Sequence, residues 1–188
     1  MMKYYQDETF KNVDFKLQQE IAEFDNCIFK NCQFQNLKLS GFNFTDCEFY
    51  SCDFSSANLN NCSLNECTFE ECKLLGLRFD ACNQFLLGVN FHYCQLNFSS
   101  FFQCKLKKTS FDHCSLKEVD FTETDLEASS FDHSILNGAV FDRSNLTKCN
   151  FMTAQNFSIN PEVNNIKAAH FSKDNLSGLL LHYGIKIK

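Results

Sequence analysis

No tryptophan, one proline and only six glycines occur in this chain, and no stretch approaches the roughly 20 consecutive apolar residues that span a bilayer. The opening segment "MMKYYQDETFKNVDF" also lacks the apolar centre of a secretory signal, so a cytoplasmic location without membrane contact is expected. Basic residues are not in excess: 23 acidic against 17 basic side chains give a net charge of -6, and phosphate would be repelled. No binding to nucleic acid is therefore expected. Glycine-rich phosphate loops, G-x-S-x-G and H-E-x-x-H are all missing, which argues against an enzyme and against a cofactor. Twelve cysteines are present, but none stands three residues from another, as zinc and redox motifs require.

What the chain does contain is phenylalanine, 23 of them, and a count of five. Phe or Leu recurs at every fifth position from Phe24 through Phe29, Phe34, Leu39 and onward to Phe79. A second run starts at Phe91 and alternates Phe and Leu strictly to Phe151. A helix repeats at 3.6 residues and a strand at two, so neither explains this period. Two positions before each of these central residues the side chain is usually small, as at Ala57, Ser129, Ser134 and Ala139. Eleven of the twelve cysteines occupy that slot, and Cys82 keeps the same count of five just past Phe79, two before Gln84. A position that accepts Cys, Ala, Ser and Thr is tight interior space, so the cysteines are expected to be buried free thiols.

Two inward residues in every five describe a chain that turns a corner after each short extended piece. Units such as "ANLNN", "VDFTE", "TDLEA", "AVFDR" and "SNLTK" resemble the pentapeptide-repeat family over most of the chain. That resemblance implies an all-β fold, a right-handed quadrilateral parallel β-helix in which four pentapeptides complete one coil. Residues 20 apart then stack, so Phe91, Phe111, Phe131 and Phe151 form one interior column and Phe101, Phe121 and Phe141 another. At about 4.8 Å per coil, roughly six to seven coils give a rod about 30 Å long.

The irregular stretches mark the ends. Residues 1–23 are expected to form an N-terminal cap, with "KLQQEIAE" as a short helix; 24–151 form the β-helix; 152–188 form a C-terminal cap and dimerisation segment. Between Phe79 and Phe91 the spacing is two residues too long, which predicts a bulge or small loop. In the tail, Asn160 and Ser172 are candidate helix caps and Gly184 a stop. Leu176, Leu179, Leu180 and Tyr183 share one face at helical spacing, and that face must cover the solenoid end or a second chain.

The stacking rule also sorts the charges. It sets Lys105 by Asp125, Lys107 by Glu127, Glu123 by Arg143 and Asp53 by Lys73. It leaves like charges together where Asp112 meets Asp132 and Asp46 meets Glu66. Asp112, Glu118, Asp120, Glu123, Asp125, Glu127, Asp132 and Asp142 form the candidate partner-binding acidic surface. The pairs "FDHC" and "FDHS" bring His113 beside His133, but adjacent residues of a strand point different ways and supply no closed shell, so no metal is expected.

Within the family, the tail with its "NPEVN" and "GLLLHYGIKI" looks most like the microcin-immunity and quinolone-resistance members. What that implies is a dimeric acidic rod acting as a DNA mimic toward DNA gyrase or topoisomerase IV, regulating the enzyme or protecting it from toxins or antibiotics, with a homodimer joined through the C-terminal segment. The alternative is a general cytosolic protein-protein interaction scaffold.

Overall fold

The computed structural model describes residues 3–17 and 20–186. The chain winds into a four-sided parallel β-solenoid of about eight turns. Short strands of one coil pair in parallel with the next: Phe24 lies opposite Phe44 and Phe44 opposite Leu64 on one face, while Phe29, Phe49, Phe69, Phe91 and Phe111 lie in register on the neighbouring face. The remaining two faces are joined by isolated parallel bridges such as Asp53 to Lys73 and Ser100 to Asp120.

Most corners share one cause. The second residue after the central Phe or Leu takes a positive φ, as at Asn31 (53°), Asp46 (50°), His113 (52°) and Ala128 (61°). At many corners the third residue on then donates its N–H to the central carbonyl, as from Leu37 to Phe34 at 3.2 Å and from Ala57 to Phe54 at 2.9 Å, which is how a β-turn with positive φ at its third residue closes. Left-handed backbone costs an L-residue about 1–2 kcal/mol, and the excess is borne by the packing inside. Among the described corner residues with positive φ, none is Val, Ile or Thr, the side chains that crowd this region most.

Inside, the rings build an ordered lattice. Phe111 and Phe131 stack with centroids 5.0 Å apart, Phe131 and Phe151 at 4.8 Å, and Phe151 and Phe171 at 5.2 Å. Across the interior Phe111 meets Phe121 edge-on at 5.6 Å and 84°. Both arrangements satisfy the ring quadrupole. In the first coils the Phe columns run through Phe24, Phe29 and Phe34; at Phe79 the third column moves one face on and stacks on Phe101 at 4.5 Å.

The cysteine slot is more than a gap. Cys72 Sγ donates to the Phe49 carbonyl at 3.3 Å, and in the same slot Thr124, Ser134 and Ser144 donate to the carbonyls of Phe101, Phe111 and Phe121 at 2.8, 2.8 and 2.7 Å. A small donor that bonds to the coil before it is what the position selects, and Cys, Ser and Thr all supply one. All twelve cysteines are buried and free. Burial disfavours the thiolate and pushes Cys47, Cys62, Cys104 and Cys149 up to about 12.

The solenoid is longer at both ends than the boundaries at 24 and 151. Lys3–Gln6 and Thr9–Lys11 pair with Ala22–Asp25 and Ile28–Lys30, so the segment expected as a cap supplies the first coil, with Tyr5, Phe10 and Phe15 stacked on Phe24, Phe29 and Phe34. In place of the expected helix there is a 3-10 turn at Phe15–Leu17; Gln18 and Gln19 lie outside the described residues. At the other end His170–Phe171 pairs with Asn150–Phe151, which makes a last coil of residues expected to cap. The Asn160 side chain accepts from Glu162 N at 2.9 Å, but only a turn follows where a short helix was expected.

The two surplus residues between Phe79 and Phe91 form the predicted small loop. A 3-10 turn at Gln84–Leu86, capped by Asn83, pushes the Phe85 ring into solvent at 89% exposure. Beyond the last coil the tail folds as 3-10 helices at Lys173–Leu179 and Leu181–Tyr183 in place of one α-helix. Ser172 accepts from Asn175 N, and Gly184 ends the Leu181–Tyr183 turn with φ 65°, the two roles read from the sequence.

Candidate protein-binding surface

The eight acids of the candidate surface all lie on the outside, but they occupy several faces. Asp112 and Asp132 follow Phe111 and Phe131 on one face; Asp120, Glu123 and Asp142 surround the Phe121–Phe141 column on another; Asp125 and Glu127 flank Leu126; Glu118 sits at a corner. Four of the eight pair with Lys or Arg. Arg143 spans Glu123 at 2.9 Å and Asp142 at 2.6 Å, and Lys107 reaches both Glu127 at 2.9 Å and Asp125 at 3.3 Å. Lys148 adds a second base to Glu127 at 3.5 Å.

Hydrogen bonds from Gln103 and Arg143 hold the Glu123 carboxyl below its ordinary range, and the Lys107 ammonium does the same for Glu127. Two of the pairs read from the stacking rule are thus made, Lys107 with Glu127 and Glu123 with Arg143. A third is replaced: Lys105 and Asp125 share a bridge, but the carboxylate pairs with Lys107. Asp53 likewise shares a bridge with Lys73, while its carboxylate accepts from Ser55 N at 2.9 Å. Asp120 is turned back onto its own corner, accepting from Thr122 N at 2.9 Å.

A second acidic region lies in the first coils and escaped the candidate set. Glu23 and Asp25 flank Phe24, with Asp7 above them and Asp46 and Glu66 at the corners below. Their partners are neutral: Asn43 donates to Glu23 at 3.0 Å, Tyr4 OH to Asp25 at 3.0 Å, and Asn26 to Asp7 at 2.7 Å. None of these five acids makes an ion pair among the described residues. A shallow groove of about 430 Å³ runs across this face, lined by Tyr4, Glu23, Asp25, Asn43 and Asn65 without a basic side chain. The stacking of Asp46 on Glu66 was the signal in the sequence that could have found it.

The tail divides its apolar residues. Leu179 packs on the core, and Gly178 lies so close beneath it that a methyl group there would overlap the Phe157 ring. Asn175 donates to the Phe151 and Ala154 carbonyls at 2.8 and 3.1 Å, and Tyr183 OH to Glu162 at 2.8 Å. Leu176, Leu180, Leu181, Tyr183 and Ile185 remain exposed. Of the four residues assigned to one helical face, Leu179 alone is turned to the core, because a 3-10 helix broken at Leu180 does not keep the 3.6-residue stripe.

A profile of eight pentapeptide-repeat copies matches residues 47–83, and the profile of a pentapeptide repeat region matches residues 85–151. The chain belongs to the pentapeptide-repeat family. Among curated proteins none matches the sequence. Solved pentapeptide-repeat structures share the fold. A trypsin-treated form of QnrB1, a plasmid-mediated fluoroquinolone resistance protein, superposes with a TM-score of 0.64 at 16% identity, covering 98% of this chain and 100% of that one. A second trypsin-treated form gives 0.63 at 18% identity with 100% of both chains covered. HetL, involved in heterocyst differentiation regulation in the cyanobacterium Nostoc sp. strain PCC 7120, gives 0.62 at 16% identity, covering 92% of this chain and 88% of that one. Among the described residues, no helix of this pentapeptide-repeat protein is long and apolar enough to cross a membrane.

Proposed function

We propose that this pentapeptide-repeat protein is a non-enzymatic rod that works through its acidic outer faces, binding the basic DNA-binding surface of DNA gyrase or topoisomerase IV in place of a duplex. The observation that carries this reading is the unneutralised surface of Asp7, Glu23, Asp25, Asp46 and Glu66: the first three meet amides and a phenol, and none of the five meets a base among the described residues. Acids recurring from coil to coil, at about 4.8 Å, give a row of charges on the same scale as, though wider than, the roughly 3.4 Å axial repeat of one DNA strand. A partner built to neutralise phosphates would gain its ion pairs here without first breaking others. Resistance to a fluoroquinolone, attributed to QnrB1, supports the same class of partner through the shared architecture. The exposed Leu176, Leu180, Leu181 and Tyr183 support a homodimer joined at its C-terminal ends, which would double the length of the rod.

One observation favours a general scaffold instead: the ion pairs of Glu123, Asp125, Glu127 and Asp142 make the second half a mixed-charge surface. Supercoiling of relaxed plasmid by gyrase, with and without a gyrase poison, separates the two. A mimic inhibits or rescues at low micromolar protein. It loses that effect in high salt and in a Glu23→Gln, Asp25→Asn, Asp46→Asn, Glu66→Gln variant. A rod without effect at any salt is a scaffold for another partner.

A further inference from the structure

Three of the chain's five histidines lie within two neighbouring columns of one face. At the three successive corners after Phe91, Phe111 and Phe131 the positive-φ residues are Tyr93, His113 and His133. Their rings stack, Tyr93 on His113 with centroids 4.7 Å apart and His113 on His133 at 4.4 Å with planes 16° apart. The position before each corner residue carries His92, Asp112 and Asp132. Asp112 is bracketed, with one carboxylate oxygen 2.8 Å from His113 Nδ1 and the other 3.6 Å from His92 Nδ1. Asp132 lies 3.7 Å from His133 Nδ1 and also accepts from the Thr153 hydroxyl.

The expectation that neighbouring residues diverge fails here for a physical reason. It holds within a strand, but Asp112 and His113 straddle a corner, and the left-handed backbone at His113 swings its ring back toward the carboxylate. One nitrogen of His113, one of His133 and one oxygen of Asp112 come within 4.8 Å of one another.

We propose that Asp112, His113 and His133 bind a divalent first-row transition ion of the zinc, cobalt or nickel type. Two imidazoles and a carboxylate form a borderline donor set, which suits these ions and not calcium or magnesium, whose shells are built of oxygen. Donors sit about 2.0–2.2 Å from such an ion. The three groups therefore close by small rotations of side chains that are free to move on the solvent side. The backbone beneath them is fixed: His113 N donates to the Asp132 carbonyl at 2.8 Å and His133 N to the Thr153 hydroxyl at 2.8 Å. Asp132 and His92 stand beside the donors, 3.7 Å from His133 Nδ1 and 3.6 Å from the Asp112 carboxylate, close enough to help orient them. The remaining positions on the ion face water, so the site is open and can take a further ligand from outside. Thiolates do not compete in the folded protein, since all twelve cysteines are buried.

The test is titration of the purified full chain with cobalt(II), followed by absorption, and with nickel(II), followed by calorimetry and thermal unfolding. One ion per chain is expected, with a cobalt spectrum free of thiolate charge transfer and a raised unfolding temperature. His113→Asn and His133→Asn suit the corner, because Asn tolerates left-handed backbone. Each should lower the affinity by at least about tenfold, a loss of a size that removal of even an orienting partner can cause, and should unfold like the parent in EDTA. His182→Asn should bind as the parent does. Binding that is unchanged in both corner variants, a thiolate-to-cobalt band, or no binding at millimolar metal would each overturn the proposal.

Discussion

The ring of Phe121 lies parallel to that of Phe101 below it, with centroids 5.3 Å apart and planes within 4°, and parallel to that of Phe141 above it at 5.1 Å. The parallel stacks of the columns join rings one coil apart, while edge-on contacts such as Phe111 to Phe121 link the columns across the interior. Phe121→Ala should therefore remove contacts from two coils at once and cost about 3–5 kcal/mol. Denaturant unfolding of the variant measures it. Phe85→Ala is the control, since that ring is in solvent, and it should change stability by no more than about 0.5 kcal/mol.

The corners should be sensitive to branching. Ala128 has φ 61° and an exposed side chain, so Ala128→Val tests the backbone alone. It should destabilise by about 1–2 kcal/mol, while Ala128→Gly should be neutral or slightly stabilising. A valine as stable as the parent in thermal melts would mean that the packing does not impose the corner.

The thiols should be silent until the rod opens. A disulfide reagent at neutral pH should find no reactive cysteine in the native protein and all twelve after denaturation, because every thiol is buried out of reach and burial further raises the pKa of Cys47, Cys62, Cys104 and Cys149. Fast reaction of even one thiol under native conditions would contradict the buried ladder.

Acid should loosen the second half through Glu123 and Glu127. Their carboxyls are held below the ordinary range in the folded chain, so the stability they contribute is present above that range and is lost as the pH falls through the depressed folded values. In a series of melts toward low pH, Glu127→Gln should show a flatter loss of melting temperature than the parent.

Removing the close approach under the tail should release it. Gly178→Ala would force the last turns away from Phe157 and expose Phe151 and Phe157 at the end of the core. Faster proteolysis of the C-terminal segment is expected, with the inner coils still protected; an unchanged digestion pattern would argue against the packing.

Much of this fold can be read from the chain because its rule is local: a central Phe or Leu every five residues and a small residue two before it. The columns and the small loop at Phe85 follow from that count, and the Ser172 and Gly184 roles from the chemistry of helix ends. The first coil was hidden although Tyr5, Phe10 and Phe15 keep the count, because the interval from Phe15 to Phe24 is one residue short of ten and reads as an ending. The last coil was hidden because Phe157 and Ile159 fill the interior off the five-residue count. The acidic surface was less legible for another reason. Stacking fixes which backbones are neighbours, but Lys107 pairs with Asp125 as well as Glu127 through the reach of its side chain, which no period encodes.

The positive-φ corners carry a further meaning. Asn31, Glu71, Tyr93, Lys108, His113 and Ala128 all occupy the same backbone station, so the station tolerates acid, base, amide, ring and methyl alike. Interior and exterior are thus inherited separately: one alphabet of two letters keeps the rod standing, while another, almost unrestricted, can be rewritten coil by coil to meet a new partner without refolding the rod.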